Sequence, residues 1–210
     1  MITPLLHGLL FWTLASSLAL PQQAAAQTPD LDIALDLWGQ EIQNAPVSLA
    51  GASLSKANDP WEDQTEGHRL RLSSYDRPTT QKRIALAFLE DLRQYIINEL
   101  RDVRRHETKE QVPDPVFVNG RLRYSDPVTK ISIGLVPTET PPPAPGPFVP
   151  LKFSQILAVG RVLVRWVREF GDNEFVPSAV LRLFEGDQAE PGAAKGTLLC
   201  GITSTQVETM

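Results

Sequence analysis

Arg161, Arg165 and Arg168 stand at i, i+4 and i+7 in "FSQILAVGRVLVRWVREFG", residues 153–171. That spacing sets three guanidinium groups on one face of a helix. Their forked N–H donors suit anions, so an anionic ligand at this stripe is one expectation. A solvated charged face is the other.

Other residue types that carry chemistry are sparse. Beyond the first residues only His68 and His106 remain, in "EGHRL" and "RRHET". Neither belongs to an H-x-x-x-H, an H-E-x-x-H or a Cys/His cluster, so no metal ligation is expected. Ser53 to Lys56, "SLSK", matches S-x-x-K, and Lys195 to Thr197, "KGT", echoes K-T-G. The S-D-N element such an acyl-transfer enzyme also needs is missing. There is no G-x-S-x-G, no Walker loop and no G-x-G-x-x-G, so no cofactor is expected. Asp30, Asp32 and Asp36 lack the glycine and late glutamate of a calcium loop. Glu90 with Asp91, or Glu174, Glu185 and Asp187, could supply paired carboxylates, but spacing along the chain does not set their separation. Cys200 alternates with Leu198 and Ile202, the pattern of a buried apolar thiol. No residue is assigned a catalytic role.

The elements that must position these residues are legible to different degrees. "TTQKRIALAFLEDLRQYIINELRDVRRHE" predicts a helix. Ala85, Phe88, Leu89, Leu92, Ile96, Leu100 and Val103 form its apolar stripe, Thr79 or Thr80 could cap it, and Arg104, Arg105 and His106 suit its C-terminal dipole. "PVFVNGRLRYSD" places Asn119-Gly120 between alternating arms, a hairpin signal, and "TKISIGLVP" alternates as a strand. "AVLRLFEG" and "GTLLCGITS" read as two further strands around a turn-rich "DQAEPGAAK". "TPDLDIALDLWGQEIQNAP", residues 28–46, fits a helix through Leu31, Leu35, Trp38 and Ile42, and the alternation Leu31, Ile33, Leu35, Leu37 also fits a strand. A helix is favoured, with Thr28 as cap.

Residues 153–171 present three options: a membrane span, an interfacial helix or a core helix. At about 100° per residue, Ser154, Ala158, Arg161, Arg165, Arg168 and Glu169 share one narrow wedge. The large apolar residues fill the remaining arc of roughly 220°. The arginines interrupt any span, and the apolar arc is too wide for a helix lying on a membrane. The expectation is a core helix stopped at Gly171, with its arginines in an exposed wedge.

At the N-terminus an apolar run from Leu5 to Leu20, then Pro21 and Ala24 to Ala26, reads as a signal peptide over 1–26. The mature chain would start at Gln27. One cysteine allows no intrachain disulfide. The formal net charge of −5 leaves no basis for a polyanionic partner such as nucleic acid. "PTETPPPAPGPFVP", residues 137–150, holds seven of the 18 prolines and cannot join a sheet or a helix interior. It is expected to be an extended connector.

The fold expected is α+β, with two amphipathic helices packed on a mainly antiparallel sheet and helix-β-β order occurring twice. Residues 27–67 would be an N-terminal extension, partly helical or disordered, before a domain at 68–206. The segments "LKFSQILAVGRVLVRWVREFG", "VLRLFEG" and "GTLLCGI" resemble the C-terminal part of uncharacterised small secreted proteins of filamentous fungi. Those proteins carry a signal peptide and a Leu/Trp-rich helix before paired strands. The likeness covers a third of the chain and implies secretion and this fold, with no catalytic residues to carry over. The expected function is a secreted, extracellular, non-enzymatic binding protein. The alternatives are a hydrolase with dispersed carboxylates and a membrane-active protein using the 153–171 helix, although membrane binding is not expected from the wheel.

Overall fold

The structure, a computed structural model, describes residues 30–44, 60–73, 79–106, 112–138, 149–170, 174–190 and 192–200. The expected signal peptide, Ser53 to Lys56, most of the connector and Gly171 lie outside the described residues.

The chain runs α1 (Leu31–Gln43), β1 (Trp61–Thr65), β2 (His68–Ser73), β3 (Thr80–Gln81), α2 (Lys82–His106), β4 (Leu122–Asp126), β5 (Ile131–Pro137), α3 (Phe153–Arg168), β6 (Phe175–Val176), β7 (Ala179–Glu185) and β8 (Ala194–Cys200). The class is α+β. Six strands form one antiparallel sheet in the order β1-β2-β7-β8-β5-β4. The two-residue strands β3 and β6 pair separately. With those set aside, a helix followed by an antiparallel pair occurs three times, once more than expected. The third pair, β7–β8, inserts between the first and second pairs.

The extra unit is α1 with β1 and β2. Asp30 caps α1, its Oδ1 accepting from the N–H groups of Asp32 and Ile33. Thr28 is therefore not the cap. Leu31, Ala34, Leu35 and Trp38 are buried in the common core, and β1 forms one edge of the sheet. α1 and β1, both before residue 67, thus pack with the elements that follow it: Trp38 is fully buried, with its ring against Gly160 of α3.

Two local expectations also change. Asn119 and Gly120 both adopt positive φ, but they form a short 3-10 turn before β4 instead of closing a hairpin. The arm before them bonds elsewhere: the Phe117 N–H donates to Leu151 O, and the Leu151 N–H donates to Gly120 O. The β4–β5 hairpin turns at residues 127–130, where Asp126 accepts from the N–H groups of Val128 and Thr129. At the start of α2, Thr80 lies in β3, and the Thr79 hydroxyl donates to Cys200 O. Neither threonine caps that helix, although its predicted apolar stripe is buried as far as Leu100, with Val103 packed at its border.

Alternation decides what each strand offers. In β5, Ile131, Ile133 and Leu135 are buried beneath the helices, and Ser132, Gly134 and Val136 face the opposite side. In β7, Leu181 and Leu183 join the core, while Val180 and Arg182 alternate with them. The helices therefore cover one face of the sheet and leave the other to form a surface of its own.

Candidate functional site

The arginine stripe lies at the junction of α3, α1 and the β1–β2 turn. Arg161 is buried at 8% exposure, which corrects the expected exposed wedge. The physical reason is α1, which lies across that side of α3. Arg161 Nη2 donates to Glu41 Oε1 at 2.9 Å, and its Nη1 pairs with Glu66. Arg165 Nε donates to Asp63 Oδ2 at 2.5 Å and its Nη1 to Glu41 Oε1 at 3.3 Å. Glu66 and Gly67 both hold positive φ, the backbone of a two-residue hairpin turn, and the Arg161 pair fixes the Glu66 side chain there. Arg168 differs: its Nε and Nη2 are buried with no hydrogen-bond partner among the described residues. Burial pushes this guanidinium below its ordinary value, and Glu41 opposes that shift. Two of the three arginines thus face carboxylates of this chain.

The remaining candidates are dispersed. Glu90 accepts from Arg93 Nη1 at 3.0 Å and from Gln94 on its own helix. Glu185, at the end of β7, accepts from Gln155 Nε2, while Asp187 is exposed in the following turn. His68 begins β2 and His106 ends α2. Cys200 is buried, as its alternation indicated, and desolvation raises its thiol to about 12 against a weaker hydrogen bond with Thr80. Among the described residues no group of three His, Cys, Asp or Glu could hold a metal ion.

The open face of the sheet divides into two halves. On the β1–β2–β7 side Phe184 is covered. The Arg69 guanidinium lies 4.5 Å from its ring centroid and that of Arg71 lies 5.4 Å away. Both arginines are neutralised: Glu62 bonds both, and Glu190 accepts from Arg71 Nη1 at 2.7 Å. The β7–β8 loop folds down here, and Gly192 at φ +79° approaches Leu183 O so closely that a Cβ would collide with it.

On the β7–β8–β5–β4 side the face is hollow. A concavity of about 520 Å3 opens there, with Val136, Val180 and Leu199 among its apolar residues and Arg182 and Lys195 at one end. Its floor is low because Gly134 carries no side chain. A Cβ at Gly134 would meet nothing within 4 Å, so this glycine leaves open space over the sheet. A Cβ at Gly196 would collide with Gly134 O, so there the backbones themselves demand glycine. Register sets Arg182 opposite Lys195, and Arg71 opposite Arg182, in one row of three cations. Like charges directly opposite repel. Arg71 has its acids; among the described residues Arg182 and Lys195 make no ion pair.

Sequence reasoning did not single out this hollow. Its signal was the outward phase of Arg182, Gly134 and Thr197 within alternating strands. Which strands are neighbours, and hence which cations and glycines meet, is not written in any one segment. Comparison with protein-family models, with curated proteins and with solved structures found no match.

Proposed function

We propose that this chain is a secreted, non-enzymatic binding protein whose ligand seats in the hollow of the open sheet face. The observation that carries this reading is the concavity over Gly134, about 520 Å3 in volume, with Val136, Val180 and Leu199 in its lining. That size lies within the roughly 300–1,000 Å3 range of small-ligand sites. The apolar run at 5–20 and the likeness of 151–171 to secreted fungal proteins support export. The arginine stripe is a weaker ligand site, since Glu41, Glu66 and Asp63 already occupy Arg161 and Arg165. A membrane-active role for residues 153–171 would require pulling Leu157, Leu163 and Trp166 out of the core. No described helix is long and apolar enough to cross a membrane.

The test is titration with a neutral polarity-sensitive dye, N-phenyl-1-naphthylamine. The full chain is expected to bind one dye saturably, with blue-shifted emission. Gly134→Val fills the open space with a β-branched side chain that strands favour. This variant is expected to keep or raise the melting temperature and to lose dye affinity by at least about tenfold. Unsaturable binding, or undiminished binding by Gly134→Val, would overturn the proposal.

A further inference from the structure

We infer that the hollow takes an amphipathic carboxylate, with its acyl chain along the strands and its carboxylate between Arg182 and Lys195. This rests on the binding role proposed above and specifies the chemistry of the ligand.

Charge and shape argue together. Arg182 and Lys195 are cross-strand partners without an acid of their own among the described residues, beside a third cation, Arg71, that has two. An anion set between them would relieve the repulsion that the register imposes. Next to this row lies Val136, the partner of Lys195 across β5 and β8. Two residues along, Val180, Thr197 and Gly134 form a second row, and Leu199 with Ser132 forms a third. Three rows at about 3.4 Å per residue span about 14 Å, room for a medium-length acyl chain. Arg182 and Lys195 stand together at one end, and the floor beyond them is Val180, Thr197, Gly134, Leu199 and Ser132, with Arg123, the partner of Gly134, at the β4 margin of the second row. The connector beyond β5, residues 139–148, carries one acid, Glu139, and no long run of aliphatic side chains.

Displacement of the bound dye compares monomeric laurate, neutral dodecanol and cationic dodecyltrimethylammonium on the full chain. Laurate is expected to compete at least about tenfold better than dodecanol, and the cation worst. Arg182→Gln with Lys195→Gln should reduce laurate to the level of dodecanol, read as the ratio of the two affinities on that variant. Higher salt should weaken laurate alone. Equal competition by laurate and dodecanol, or a preference that survives the double variant, would overturn the inference while dye binding still supports the hollow as a site. If calorimetry shows that neither laurate nor the dye binds, both readings fall. A dimer that excludes the dye would give the face to a second copy and end the inference. Dye binding that appears only when residues 139–148 are replaced by a Gly/Ser segment would give it to the connector, with the same result.

Discussion

Cys200 closes β8 with its thiol among apolar neighbours, and burial raises its pKa to about 12. Iodoacetamide at pH 8 should therefore leave the native thiol unmodified and label it after unfolding, as mass spectrometry would read. The sign for stability follows from linkage. The folded pKa exceeds the value near 8.5 of an exposed thiol, so the contribution is full below that value and is lost as pH rises above it. Denaturant midpoints should decline from about pH 8.5 upward, and less so in Cys200→Ala. Arg161 makes a second residue-scale case. Removing it leaves Glu41 and Glu66 partly buried beside apolar surface. Arg161→Ala should cost about 3 kcal/mol in chemical denaturation. Arg161→Met combined with Glu41→Met should recover a large part, because removing both charges leaves less buried charge unpaired. That Arg161 would be on the helix was legible from its spacing. That it would be buried was not, because its two carboxylate partners, Glu66 and Glu41, lie 95 and 120 positions away.

Among the elements, α3 meets α1 at Gly160, where a Cβ would overlap the Trp38 ring. The absent side chain leaves the room that the indole fills. Gly160→Ala should destabilise by about 2–3 kcal/mol through overpacking, despite its gain in helix propensity. Combining it with Trp38→Leu should cost less than the sum of the two single changes, measured by urea unfolding. α3 and α2 were legible as elements because their apolar arcs repeat at the helical period over many residues. Asn119-Gly120 closes no hairpin, for a physical reason. The dipeptide supplies the positive φ values that such a turn needs, but tertiary bonds to Leu151 claim the arm before it.

At the scale of the whole molecule, three helix-hairpin units share one core, and none can bury its apolar face alone. Deleting residues 30–44 removes Trp38 from α3 and should abolish the cooperative thermal transition seen by near-ultraviolet circular dichroism. A truncated chain that melts cooperatively would set the domain boundary at residue 67. Trp38→Ala alone should cost about 3–5 kcal/mol. The sequence by itself determined the α+β class, the burial of α3 and the alternation of the strands, since each follows from a periodicity read within one segment. Only the tertiary structure decided that β7 and β8 lie between the other pairs. It alone set Arg182 beside Lys195 and Gly134 in a hollow, and turned the arginine stripe inward onto Glu41. Those outcomes depend on strand order and helix crossing, where partners far apart in the chain compete for the same surface and local pattern does not name the winner.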